Sequence, residues 1–368
     1  MRGTLSGPSF ARTVGLVILA TIVLFVADTF LARVEKAETS AEAARYFREA
    51  RSLMERGENG RAAERLQDAI AIDRANREYQ LTLAEAQLAE GKTADAEVTL
   101  NALLQTDSTD GPANLVMARV MVRASRRDEA ISYYRRAIYG HWSADAGQNQ
   151  LRVRFELIDL LAKHGMKEQL LAELLPAEAQ APHDEATELR LGRLFLVAGS
   201  PARAADVFRV VLHDSPANAD ARAGIGEAEF ARASYKAAQR DFQTALRFAP
   251  DDESIRRRLN VTSDLLALDP TLRGLNPSDR YQRSLKLLQL TSDEARPCAG
   301  QSPSTELKGL LDKADAALKV HVRASSQGET AESNLDLTEQ LWQARRKECR
   351  VPASNDSPLA LVLARLSQ

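Results

Sequence analysis

Five histidines, two cysteines and one lysine-bearing glycine turn are the residues of this chain whose types could do chemistry. His141, His164, His183, His213 and His321 are scattered. None belongs to an HExxH run, the spacing that puts two imidazoles and a general base on one helix face. Cys298 and Cys349 do not form CxxC and no histidine cluster lies beside either, which argues against a metal centre. They allow two readings: two separate thiols, or one disulfide tying C-terminal helices together in an oxidising compartment. Gly91-Lys92-Thr93 imitates the end of a phosphate-binding loop, but Ala86 stands where the leading glycine belongs. Asn260-Val261-Thr262 and Asn355-Asp356-Ser357 match a glycosylation triplet at chance frequency. With no catalytic constellation, cofactor loop or metal-ligand set, the sequence reads as a non-enzyme with no small-molecule substrate in evidence.

The elements that would position a functional surface are helices. Lys and Arg total 49 against 51 Asp and Glu, a net charge of -2, which argues against a dedicated nucleic-acid surface. Ala, Leu, Arg and Glu dominate, Gly (18) and Pro (13) are sparse and aromatics make up 5%. Such residues lose little side-chain freedom in a helix, so the chain reads as all-α.

Comparison of the chain with itself gives a period. Small or tightly packed residues recur at Ala50, Ala84, Ala118, Ile158, Gly192 and Gly226, with spacings of 34, 34, 40, 34 and 34. Ala62, Ala96, Ala130, Leu170, Ala204 and Ala238 keep the same spacings, as do the bulkier Leu66, Leu100, Tyr134, Leu174, Phe208 and Phe242. Gly57, Gly91, Ser125, Gly165, Gly199 and Ala233 fall at turns, and Pro182, Pro216 and Pro250 close the last three units. Packing explains the pattern. Two antiparallel helices approach closely only where side chains are small, a large residue fills the hole beside the crossing, and glycine suits a left-handed turn. Proline after the second helix blocks its continuation.

These residues resemble the tetratricopeptide repeat (TPR) family over roughly residues 43–252. Leu191-Gly192, Phe195, Gly199, Ala204, Phe208 and Pro216 carry the resemblance in one unit. Ile225-Gly226, Tyr235, Ala238, Phe242, Ala245 and Pro250 carry it in the next. The aromatic usual at the head of the family's first helix is missing from most units. The resemblance implies a right-handed superhelical solenoid of about six helix hairpins that binds proteins or peptides, as a stack in which each unit buries its neighbour's apolar face. A six-residue insertion around Tyr139–Gly147 interrupts the period, and the fourth unit carries Pro176 in its second helix, where a kink or altered pitch is expected. His141 and Trp142 there read either as an exposed recognition patch or as loop packing against the neighbouring repeat. Glu253–Leu268 reads as the helix that covers the last apolar face.

Thr13–Ala27 contains no charge, and the apolar stretch runs on to Ala32 with Asp28 as its single charge. Twenty helical residues span about 30 Å, enough to cross a bilayer's hydrocarbon core. A cleaved signal peptide competes with an uncleaved anchor, but no convincing small-x-small cleavage site follows Val26, and the anchor is our reading. Basic residues after the span (Arg33, Lys36, Arg45, Arg48, Arg51) outnumber Arg2 and Arg12 before it, which on a raw count favours a cytoplasmic repeat domain. Those residues lie among acids at the head of a large domain, where the rule weakens. With the disulfide reading, the repeat domain is expected to be extracytoplasmic. The expected organisation is therefore a leader and transmembrane helix over residues 1–36, repeats and capping helix over 37–268, and a C-terminal helical region over 269–368. In that last region Arg280–Leu290, Glu306–Val322, Ser333–Glu348 and Leu359–Leu366 carry helical patterns, with a proline-containing connector at Asp269–Asp279.

The resemblance places partner contacts on the concave surface made by first helices. Repeat phase assigns Phe47, Arg51 and Met54; Leu81, Glu85 and Leu88; Leu115, Arg119 and Val122; Leu189, Arg193 and Leu196; and Glu227 and Phe230 to it. Arg51, Arg119 and Arg193 are equivalent and interleaved with apolar side chains, a mixture suited to an amphipathic helix or an extended peptide with some acidic residues. Ordinary solvated arginines, or arginines paired with glutamates inside the array, are the alternative. The Lys/Asn carboxylate clamp of chaperone-binding members is absent. Two function classes follow: an adaptor at a bacterial-type membrane serving secretion, envelope assembly or cytochrome maturation, or a structural subunit of a membrane-associated oligomer.

Overall fold

The computed structural model describes residues 8–299, 304–349 and 357–366, and among them every regular element is helical. Residues 1–160 and 161–368 form two compact units, each taken by itself below.

The first unit contains α1 (Pro8–Glu55), α2 (Asn59–Ile72), α3 (Arg77–Glu90), α4 (Thr93–Thr106), α5 (Gly111–Arg123), α6 (Arg127–Tyr139) and most of α7 (Ala146–Lys163). The second contains α8 (Lys167–Gln180), α9 (Glu185–Val197), α10 (Pro201–Asp214), α11 (Ala219–Ala231), α12 (Tyr235–Phe248) and α13 (Glu253–Leu268). It continues with α14 (Pro277–Ala295), α15 (Thr305–Lys319), α16 (Gln327–Glu348) and α17 (Pro358–Leu366).

The periodic residues are the core. Ala50, Ala84, Ala118, Ile158, Ala62, Ala96, Ala130, Leu170, Ala204, Ala238, Leu66, Leu100, Leu174, Phe208 and Phe242 are all 0% exposed. In the second unit the small-beside-large rule is literal: a methyl added at Gly192 would stand 2.6 Å from the Phe208 ring, and one at Gly226 2.8 Å from the Phe242 ring. Pro182, Pro216 and Pro250 each follow the last residue of α8, α10 or α12 by two positions.

Every first helix ends in the same way. Gly57, Gly91, Ser125, Gly165, Gly199 and Ala233 all have positive φ, between 59° and 93°. The residue after each donates its amide five residues back, as Glu58 does to Leu53, Lys92 to Gln87, Arg126 to Met121 and Ser200 to Phe195. This paired closure satisfies carbonyls that a helix end leaves orphaned. Ser125 and Ala233 hold the left-handed geometry despite bearing a Cβ. Gly91-Lys92-Thr93 is one of these turns, with Gly91 left-handed and Lys92 Nζ 3.0 Å from Glu90.

The insertion is packed. His141 donates its amide to Thr109 O at 2.7 Å, Gly111 donates to His141 O at 2.9 Å, and the Trp142 indole donates to Ala137 O at 2.9 Å. A methyl on Gly140 would stand 2.6 Å from Thr109 O, and one on Gly111 would collide with the Trp142 ring, so both positions need glycine. Of the two readings of Trp142, packing against the neighbouring repeat is the one the structure takes. Helix α8 continues through Pro176 to Gln180.

The apolar N-terminal segment lies inside α1, which runs without a break into the first repeat. Leu16, Leu19, Ile22, Leu24, Phe25, Val26 and Phe30 are exposed on it. Among the described residues no helix is long and apolar enough to cross a membrane. Part of the expected span falls on side chains outside the described residues, and Arg2 of the leader lies outside them altogether. At the other end, α14 to α17 form where helical patterns stand in the sequence, with α15 stopping at Lys319 rather than Val322. Asn334 of α16 donates to Ser284 of α14 at 3.1 Å in the buried seam between them. Cys349, directly after α16, is disulfide-bonded. The other half of that expectation, the Cys298 side chain, lies outside the described residues.

Candidate protein-binding face

First helices carry the face, and their starts are fixed by short polar side chains. Asn76, Asp110, Asp184, Asn218 and Asp252 each accept an amide from two or three residues further on and so begin α3, α5, α9, α11 and α13. Such caps satisfy amides that the helix itself cannot. They recur in the repeat period, and two units stand outside the series: the first, whose opening helix is the continuation of α1, and the fourth, where α7 starts early, inside the insertion. Asp110 is 3% exposed and also pairs with Arg77 of the preceding repeat, so one carboxylate both begins a helix and joins two units.

On the first unit's face, Phe47, Met54, Leu81, Glu85, Leu88 and Arg119 are half-buried, Leu115 is buried, and Arg51 and Val122 are exposed. Phe47 stacks on Tyr79 with ring centroids 4.9 Å apart. Arg119 forks onto Glu156 of α7, Nη2 to Oε1 at 2.7 Å and Nε to Oε2 at 3.0 Å. The Tyr134 hydroxyl donates to the same carboxylate at 3.4 Å, and Arg152 lies 3.6 Å from it. Burial, with Glu156 adding to it, pushes the Tyr134 hydroxyl well above the usual phenol range. Glu85 is different. Burial pushes its carboxyl up, the charges of Arg119, Arg152 and Arg51 pull it back, and it forms no ion pair among the described residues. Arg51 likewise forms no ion pair among them.

On the second unit's face, Leu189 is buried, Leu196, Glu227 and Phe230 are half-buried, and Arg193 is exposed. Arg193 Nη2 lies 2.6 Å from Asp220 of α11. Arg258 of α13 forks onto Glu227 and stands 4.5 Å from the centre of the Phe230 ring. Arg193, Asp220, Glu227, Arg258, Leu196 and Gly224 line part of a cavity of about 190 Å³.

The three equivalent arginines are therefore not alike: Arg119 and Arg193 are tied to the following repeat, whereas Arg51 is not. Their repeat position, followed through all six units, reads Arg51, Glu85, Arg119, Asp159, Arg193, Glu227. Its sign alternates. Asp159 becomes visible only when the residues between the arginines are set in the same repeat phase. Glu156, Asp220 and Arg258, which neutralise the ladder, stand outside that position and carry no signal of their own in the sequence. A face of alternating, mutually paired charge offers no net field for an acidic partner. What the face leaves uncommitted, among the described residues, is the apolar side chains between the charges together with Arg51 and Glu85.

Tetratricopeptide repeat family models match residues 53–120 and 189–253. No curated protein matches the sequence. Among solved structures, YrrB, described as a TPR protein with an unusual peptide-binding site, is 19% identical, covering 53% of this chain and 97% of its own, with a TM-score of 0.42. The C-terminal part of a TPR repeat-containing protein from Cytophaga hutchinsonii is 14% identical, covering 66% and 95%, with a TM-score of 0.47. PilW, described as a widely conserved type IV pilus biogenesis factor, is 18% identical, covering 59% and 98%, with a TM-score of 0.40. With all six turns closed alike and the periodic residues forming the core, the chain carries repeats of the tetratricopeptide family, matched by family models over residues 53–120 and 189–253.

Proposed function

We propose that this chain is a membrane-anchored scaffold that gathers protein partners on the first-helix face of its repeats, serving secretion, envelope assembly or cytochrome maturation at a bacterial-type membrane. One observation carries the reading. In the first unit, apolar Phe47, Met54, Leu81 and Leu88 are left half-buried beside Glu85 and Arg51, which no ion pair among the described residues occupies. An amphipathic helix or an extended peptide offering apolar side chains, with a cation for Glu85 and an acceptor for Arg51, fits that surface. Support for the anchor comes from the apolar side chains exposed along α1 and from the uncharged run Thr13–Ala27. Support for an extracytoplasmic repeat domain comes from the disulfide at Cys349, since such bonds persist in oxidising compartments.

The test is a photo-crosslinker placed at Arg51 in native membranes, followed by identification of what is captured. Heterologous proteins, lost when Glu85 is changed to Arg, are the expected result. Crosslinks confined to copies of this chain would replace the adaptor by the structural subunit of an oligomer. Alkaline extraction tests the anchor, and release of the full chain into the soluble fraction would remove it.

A further inference from the structure

Beside Phe230, at the C-terminal end of the first-helix face, a groove in the second unit is filled by a piece of the same chain. Leu359, Ala360, Val362 and Leu363 of α17 pack with Tyr235 of α12, Leu265 of α13, Leu287 of α14 and Trp342 of α16, and Leu366 lies against them. Residues 359, 362, 363 and 366 form one helical stripe, the pattern with which an amphipathic helix enters a groove. At the end of the groove stands Asp269, 1% exposed. Its Oδ1 accepts from the Thr271 amide at 2.8 Å and hydroxyl at 2.6 Å, and its Oδ2 accepts from Arg365 Nη1 at 2.9 Å. Among the described residues Arg365 is the cation paired with this carboxylate, and its guanidinium also stands 5.9 Å from the Tyr235 ring centre.

Nine residues are too few for a stable helix in water, so α17 is helical because it is docked. A carboxylate at the end of an apolar groove is costly to bury unless a cation meets it. The groove therefore specifies its occupant: apolar residues at i, i+3, i+4 and i+7 with an arginine at i+6, as from Leu359 to Leu366. We propose that this groove is a docking site for an amphipathic helix of a partner protein with that pattern, and that α17 is its built-in competitor. Tethered in the same chain, α17 competes at an effective concentration in the millimolar range, roughly. It keeps the site closed to weak or unsuited helices.

The test uses the full chain and a fluorescent peptide of residues 357–368 as probe. In the variant Val362→Asp/Leu363→Asp the chain's own helix is evicted while the groove is intact. The peptide is expected to bind this variant at least tenfold more tightly than it binds the wild type. The same peptide with Arg365→Glu should lose at least tenfold on that variant. Equal binding to variant and wild type, or indifference to the arginine, would make α17 a fixed part of the core and end the proposal. Should the double variant lose helix content by circular dichroism, Arg365→Glu in the full chain serves as receptor instead. It keeps the apolar stripe, and binding no tighter than wild type would again overturn the idea. Dimers of the wild type that the double variant cannot form would assign the groove to a second copy, and the partner helix would fall.

Discussion

Phe208 gives the sharpest test of how the repeats hold together. Its ring is 0% exposed and lies between Gly192 of its own repeat and Gly224 of the next. A Cβ built on Gly224 would stand 2.5 Å from two ring carbons, and one on Gly192 2.6 Å. Carbon atoms are comfortable at about 3.5–4.0 Å, so the ring or the helix would have to yield about 1 Å. Overpacking of this kind costs about 1–3 kcal/mol. Exchanging glycine for alanine in a helix interior returns about 0.8–1 kcal/mol of intrinsic propensity. Gly309 in α15 isolates that second effect, because nothing lies within 4 Å of its added methyl. Gly309→Ala should therefore stabilise, and Gly224→Ala should fall below it by about 1–3 kcal/mol. Guanidinium denaturation followed by far-UV circular dichroism measures the two. Hydrogen exchange over α9 to α11 localises the loss, which matters because repeat stacks can open in parts. Adding Phe208→Leu to Gly224→Ala should recover stability relative to the sum of the single changes, as expected of residues in contact. If the two alanine variants shift alike, or if the leucine offsets nothing, the ring is not what demands glycine.

Three further outcomes follow from the same structure. Ser125→Gly and Ala233→Gly should each raise stability by about 0.5–1 kcal/mol, because both residues sit at φ 59°, where a Cβ costs about 1–2 kcal/mol and glycine's chain entropy returns part of it; a lowered denaturation midpoint would refute this. Burial, partly offset by Arg119, Arg152 and Arg51, raises the Glu85 carboxyl above its ordinary 4.5. Folding then favours the protonated form, and its stabilisation is present below that value and lost as pH rises through the raised one. Glu85→Gln should thus be more stable than wild type at neutral pH and lose the advantage below about pH 4.5; an advantage independent of pH would refute it. Cys349 should resist alkylation until reductant is added, after which both cysteines should label; ready labelling without reductant would remove the disulfide and weaken the extracytoplasmic assignment.

What the sequence made legible was set by the kind of regularity involved. Repeated residue identity is visible by eye: the small, bulky and turn series were placed correctly down to Ser125 and Ala233, whose side chains argue against the conformation that the repeat imposes. The capping series Asn76, Asp110, Asp184, Asn218 and Asp252 has the same period but alternates between asparagine and aspartate. It repeats a chemical role, a short side-chain acceptor at a helix start, rather than a residue. Where the role is absent, ahead of α7, the period is also broken by the insertion, so both signals fail together. In the sequence Asp269 is only the first residue of a connector, because its pairing depends on Arg365, nearly a hundred positions away.

The charge ladder separates the three arginines: Arg119 and Arg193 are paired within the array. Like charges one repeat apart would repel across half-buried ground, where screening by salt is weak. Alternation of Arg51, Glu85 and Arg119 in the first unit removes that repulsion, and Glu156 takes up the Arg119 guanidinium. The same arrangement appears independently in the second unit, where Arg258 takes up Glu227 and Asp220 takes up Arg193. Charges committed in this way hold adjacent repeats together and have little left to offer a partner. Among the described residues, Glu85 and Arg51 at the N-terminal end of the first unit are the members without such a commitment, and burial raises the Glu85 carboxyl. A ligand that brought a cation to Glu85 would relieve that cost on binding, so the N-terminal end of the ladder, nearest the apolar part of α1, is where the face should discriminate among partners.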